Sequence, residues 1–187
     1  MVRIRIIATG GTIAKTYDEA DGSLRFTRPM IEHLVSELRL PDLEITYHHL
    51  LSKDSLDLTD ADRRLILDTV LEAVAHFDAL LIVHGTDTLT ITGELLCSTL
   101  QPPRFPVILT GAMRPYEFRD SDALQNVTEA LMACRLMPAG IYVAMHNRVL
   151  RFPGVIKDRQ ALTFSKPSSS APACRTEAQS APAAHRD

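Results

Sequence analysis

Three short clusters carry residue types that could do chemistry. The first is Thr9-Gly10-Gly11-Thr12-Ile13-Ala14-Lys15-Thr16. Paired glycines let a backbone turn sharply and present N–H groups to a ligand oxygen. A hydroxyl just beyond them, as on Thr12, can attack a carbonyl carbon if a neighbour accepts its proton. A plain strand-to-loop turn has the same double glycine. A phosphate loop is excluded, because it needs glycine where Thr9 and Ala14 stand. The second cluster is His84-Gly85-Thr86-Asp87-Thr88, where the Thr and Asp could equally cap a helix. His84 could be a base or a structural donor, and the latter is commoner. The third is Gly111-Ala112-Met113-Arg114-Pro115, followed by Ser121-Asp122. Arg114 could hold a carboxylate or pair with an acidic neighbour, and Lys157 would ordinarily be a surface lysine.

Those clusters sit where strands should end. Short apolar, β-branched runs predict strands at 2–9, 44–50, 79–84, 105–110 and 140–145. Helical spacing joins Ile31, Leu34, Val35 and Leu38, and again Leu67, Val70, Leu71 and Val74. Thr59 is a candidate N-cap for the second stripe, with Asp60 and Asp62 at its positive dipole end. A third helix spans 124–137, stopped by Pro138 and Gly140. Alternating strands and helices imply an α/β fold: one domain, a largely parallel sheet, helices on both faces. In such sheets ligands gather beyond the carboxyl ends of the strands, where all three clusters fall. From residue 166 an Ala/Pro/Ser-rich stretch without periodicity predicts a disordered tail outside a 1–165 domain.

Composition narrows the class further. The chain has 187 residues, 45% hydrophobic and 23% charged, which excludes a wholly disordered, collagenous or coiled-coil protein. A formal net charge of −3 without a basic patch argues against nucleic acid as a partner. No apolar tract approaches a membrane span, and the charged alternation of residues 1–7 is unlike a signal segment, so a cytoplasmic protein is expected. Cys97, Cys134 and Cys174 lack metal-ligand spacing, so no metal is expected.

In combination the clusters resemble the bacterial-type L-asparaginase family. Its TGGTIA-like first loop matches Thr9–Ala14, its HGTDT second loop matches His84–Thr88, and a GAMRP segment matches Gly111–Pro115. The resemblance extends over about residues 2–165. It implies that Thr12 is a nucleophile, and that Thr86, Lys157 and Asp87 form a hydroxyl–amine–carboxylate relay. Lys157 is reached through Met145, Val149 and Leu150, which fit the family's pattern before its lysine. Asp87 would also grip a substrate α-amino group. The Asp54–Thr59 segment resembles the loop that binds the substrate α-carboxylate, with Ser55 as the contact. Asp54, Gly11 and Gly85 complete the implied binding set. Tyr17, with Gly22 giving its loop room to move, is the implied tyrosine that assists the nucleophile. Leu56 falls where some members carry a polar contact residue.

The resemblance implies hydrolysis of L-asparagine to L-aspartate and ammonia through a β-acyl-enzyme, with no cofactor. Two other activities fit the same residues: an ammonia-donating subunit of an aminoacyl-tRNA amidotransferase, and a non-catalytic amino-acid sensor. A homo-oligomer is expected, since family sites lie near subunit contacts. Typical members are much longer, with a C-terminal domain that lends an acidic residue to a neighbouring site. On that count the chain resembles the short-chain members, with no residue of its own to match that acid.

Overall fold

A computed structural model describes residues 1–26, 30–100 and 103–167. In chain order its strands and helices are β1 (Val2–Gly10), β2 (Lys15–Asp18), β3 (Ser23–Phe26), α1 (Met30–Ser36), β4 (Leu43–Lys53), α2 (Asp60–Ala73), β5 (Ala79–Val83) and α3 (Leu89–Thr99). There follow β6 (Pro106–Thr110), α4 (Ala123–Leu136), β7 (Gly140–Met145), β8 (Arg148–Arg151), β9 (Ile156–Asp158) and β10 (Thr163–Ser165). Beyond Pro167 the expected tail lies outside the described residues.

The central sheet has six strands in the order β4-β1-β5-β6-β7-β8. All its pairings are parallel except β7 with β8. Strands β5 and β6 read Ala-Leu-Leu-Ile-Val and Pro-Val-Ile-Leu-Thr because both of their faces are covered, and every residue in them is buried. Ile4, Ile6, Ala79, Leu81, Ile108 and Ala144 meet α1 and α4 on one face. Leu80, Ile82, Val107, Leu109 and Val143 meet α2 and α3 on the other. Each fully buried aliphatic side chain contributes about 1.5–3 kcal/mol relative to exposure.

Strand order reverses at β1: the chain moves from β1 outward to β4, then returns past β1 to β5. The crevice between the carboxyl ends of β1 and β5 is therefore a topological switch point, the usual ligand position in such sheets. The crossovers differ in hand. The path from β1 to β4 runs one way over the α1 face, and those to β5 and β6 run the other way over the α2 and α3 face. These three share one hand. The β6–α4–β7 crossover keeps the direction but takes the α1 face, so its hand is opposite. Almost all parallel crossovers share one hand, so this connection needs specific ties.

Local signals hold at several elements and shift at others. Thr59 caps α2 in a full capping box: its side chain accepts from the Asp62 N–H, and the Asp62 carboxylate accepts from the Thr59 N–H. The α2 face is rotated from the expected stripe. Ile66, Val70 and Ala73 are buried while Leu71 is 48% exposed, because Arg63 and Thr69 share the buried side. Helix α3 had no apolar stripe to announce it; its sequence Leu-Thr-Ile-Thr-Gly is rich in poor helix formers, and burial of Leu89 and Leu96 decides the matter. The Tyr17 loop, which Gly22 was expected to give room to move, forms the β2–β3 hairpin, turned at Gly22 with φ +73°.

Candidate active site

The site is assembled by glycine contacts between loops from different strands. Gly11, following β1, has φ +80° and ψ 175°, a conformation essentially restricted to glycine. A Cβ there would stand 2.5 Å from the Gly85 nitrogen and 2.6 Å from its Cα. The two signature turns therefore touch backbone to backbone. A Cβ on Gly85 would in turn stand 2.6 Å from Ser55 Cβ and 2.7 Å from Ser55 Oγ. Thus the turns after β1, β4 and β5 stack in one place, with Thr12, Ser55 and Thr86 on adjoining residues. The N–H of Gly11 donates to the Lys53 carbonyl at 2.9 Å, tying the first turn to the end of β4.

The second cluster is joined to β9. Lys157 Nζ donates to Thr86 Oγ1 at 2.8 Å and to Asp87 Oδ1 at 3.0 Å. Its side chain is 12% exposed. The surface-lysine reading is thereby overturned. Thr86 is buried, and its hydroxyl also donates to Met113 Sδ at 3.6 Å, a weak acceptor that a substrate oxygen would readily displace. Ser55 is 1% exposed, and its Oγ has no hydrogen-bond partner among the described residues. A buried hydroxyl left open at the meeting of three loops fits a hydrogen-bonding ligand. The Ser55 carbonyl meanwhile accepts from Thr88 Oγ1 at 2.7 Å, which fixes the turn.

His84 is structural. It is fully buried, and its Nδ1 donates to the Gly85 carbonyl at 2.8 Å, which leaves Nε2 to accept from Thr92 Oγ1 at 2.9 Å. Burial pushes it down to about 4, so it is neutral at pH 7. Arg114 pairs with Asp120, the structural alternative. Asp54 accepts from Lys15 Nζ at 2.6 Å and from the Leu56 N–H at 3.3 Å. The Lys15 ammonium holds the Asp54 carboxyl below the usual carboxylate range. These bonds clip the Ser55 turn to the first loop. Tyr17 lies in β2 and is 54% exposed. Its N–H donates to Glu117 Oε1 at 2.7 Å, and a Cβ on Gly22 would stand 3.6 Å from its hydroxyl. The structure shows no hydrogen bond between Tyr17 and Thr12.

Sequence reasoning gave no role to two parts of the site. Arg159 Nη1 donates to Asp87 Oδ1 at 3.1 Å, a contact with no local signal because it depends on how the β9–β10 turn docks. Asp122 accepts from the N–H groups of Met113 and Arg114, from Asn126 Nδ2 and from His146 Nε2. Burial pushes the Asp122 carboxyl up, but these donors outweigh it and hold it below the usual range. Asn126, fully buried, also donates to the Gly111 carbonyl at 2.9 Å and accepts from the His146 N–H at 3.1 Å. This network ties down the opposite-hand crossover and places Met113 against Thr86. Its one sequence cue was the Asp122–Asn126 spacing at a helix start. Among the described residues no His/Cys/Asp/Glu group could hold a metal, and no helix is long and apolar enough to cross a membrane.

With this fold and this convergence of loops, the comparison with known proteins is direct. The family model for the asparaginase N-terminal domain matches residues 3–175, and the chain belongs to that family. An L-asparaginase from Thermococcus kodakarensis is 33% identical over 149 residues, 80% of this chain and 45% of that one. A solved structure of a thermostable L-asparaginase from Thermococcus kodakarensis is 32% identical and superposes with a TM-score of 0.81, covering 88% of this chain and 51% of the other. A glutamyl-tRNA(Gln) amidotransferase component from Methanococcus maripaludis is 32% identical over 147 residues, 77% of this chain and 35% of the relative. The chain thus spans less than half the length of the curated relatives it matches.

Proposed function

We propose that the protein is an amidohydrolase that cleaves L-asparagine to L-aspartate and ammonia. The observation that carries this reading is the contact of Gly11 with Gly85, beside a Thr86 hydroxyl hydrogen-bonded to a largely buried Lys157. Thr12 Oγ1 attacks the side-chain amide carbon, its hydroxyl proton passes to the amide nitrogen, which leaves as ammonia, and a β-acyl-enzyme forms. Water then attacks the acyl carbon and releases aspartate: its proton passes to Thr86 Oγ1, Thr86 hands its own to Lys157, and Lys157 returns one to Thr12 Oγ1 as that oxygen leaves. Backbone N–H groups of the two glycine turns stabilise the oxyanion, at roughly 3 kcal/mol per donor in comparable sites. Ser55 Oγ receives the α-carboxylate and Asp87 the α-ammonium. No cofactor is required by these steps. Tyr17 assists Thr12 when the hairpin swings over the site. The proposal includes a homo-oligomer in a cytoplasmic setting, with residues 1–165 as the catalytic unit.

A second reading is favoured by the amidotransferase relatives: release of ammonia from a glutamine-type amide for a partner protein. Assaying ammonia from asparagine and glutamine separates the two. The first reading predicts asparagine as the better substrate, with Thr12→Ala and Thr86→Ala both inactive. Wild-type ammonia release by Thr12→Ala would sink it, and a preference for glutamine would favour the second. Tight aspartate binding without turnover would instead indicate an amino-acid sensor.

A further inference from the structure

Asp87 serves two cations through one oxygen. Lys157 Nζ and Arg159 Nη1 both donate to Asp87 Oδ1, at 3.0 and 3.1 Å. The two cations are held differently. Lys157 is 12% exposed and also bound to Thr86, so it stays when a ligand arrives. Arg159 is 71% exposed, and Asp87 is its one partner among the described residues. Its starting point is nonetheless built in. Asp158 Oδ1 accepts from the N–H groups of Gln160 and Ala161 at 3.0 and 2.9 Å, an Asx-type turn that fixes the backbone on which Arg159 stands. The guanidinium is therefore delivered to the carboxylate by the fold rather than by chance.

We propose that Arg159 is a specificity-determining residue that competes with the ligand's ammonium group for Asp87. This rests on the proposed function, in which Asp87 is the ammonium contact. A dicarboxylate carrying an α-ammonium brings a third cation to a carboxylate that already holds two, and so weakens the Arg159 contact, whereas one without the ammonium does not. Arg159 thus narrows the preference for amino acids over their deaminated analogues. The site accepts β-amides of four-carbon dicarboxylic acids with less regard to the α-amine than Asp87 alone would impose. Exposed ion pairs are weak, so the effect is a modest one of about two- to fivefold.

The test is calorimetric binding of L-aspartate and of succinate to the full chain at fixed ionic strength, using wild type, Arg159→Ala and Arg159→Lys. Arg159→Ala is expected to bind aspartate about two- to fivefold more tightly, with no gain for succinate and with Arg159→Lys in between. A structural role for Arg159 would move both ligands together, and that result overturns the inference. So does unchanged or weakened aspartate binding in Arg159→Ala while wild type binds it. Binding of neither ligand to any of the three proteins overturns the proposed function and this inference with it.

Discussion

A threonine hydroxyl is a poor nucleophile and a poor proton donor at neutral pH, so what surrounds it decides whether it reacts. Here Thr86 is flanked by an ammonium and a thioether, and Lys157 is the group through which a proton can leave or return. Replacing it by methionine keeps most of the buried volume and removes the relay. Lys157→Met is expected to lower kcat for asparagine by about 10²–10⁴-fold with an unchanged melting curve; loss of the melt instead would make Lys157 a structural strut. His84 supports a second prediction. Its unfolded value is 6.5 and its folded value about 4, so the unfolded chain binds a proton across that window that the fold refuses. Stability is fully present above pH 6.5 and falls as pH drops toward 4, by up to about 3 kcal/mol. Urea titrations of wild type and His84→Gln across that range check this, and the slope should flatten in the variant. At this scale the sequence put Thr12, Thr86, Asp87 and Ser55 forward as candidates, because each lies within a contiguous motif. It was silent on the contacts that Arg159 and Met113 make with the site, which cross 72 and 27 residues of chain and leave no local pattern.

Between residue and fold stand the turns that hold elements together. Gly11→Ala would force a Cβ into Gly85 backbone at a φ that L residues avoid. The neighbour cannot yield as a side chain could. We expect a loss of roughly 2–4 kcal/mol in urea unfolding, with activity gone even where the fold survives. Thr59→Ala tests a different joint. It removes the capping bond to the Asp62 N–H and should cost about 1 kcal/mol, with little effect on turnover measured at full folding. The strands were readable because burial on both faces leaves continuous apolar runs, as in 79–83. Helix α3 and the β2–β3 hairpin were not, since tertiary burial and pairing outweigh their weak local preferences. The turn of α2 about its axis had the same cause: buried Arg63 and Thr69 displace Leu71 to the surface.

For the molecule as a whole, one topological fact organises the rest. Order reverses at β1, so the loops leaving β1 and β5 diverge and open a crevice, and the first and second motifs lie on those loops. Nothing in residue spacing alone reveals that adjacency; it follows from sheet order. The opposite-hand β6–α4–β7 connection adds a third wall, and buried Asn126 with half-buried Asp122 anchors it. Asn126→Ala should therefore destabilise by about 1–3 kcal/mol and also slow turnover, through loosened placement of Met113. Self-association is checked by sedimentation velocity. A dimer or tetramer is expected, and Leu124, Met132 and Leu136, exposed along one side of α4, are the apolar candidates for its contact.

The central claim is that two hydroxyls from separate crossovers act on one small amide, with Thr12 forming the covalent bond. Rapid acid quenching of Thr86→Ala during incubation with L-asparagine, followed by peptide mass spectrometry, addresses it directly. An aspartyl adduct is expected on the peptide that contains Thr12, because attack survives while release of the acyl group is impaired. An adduct on the Thr86 peptide of the Thr12→Ala variant would contradict it.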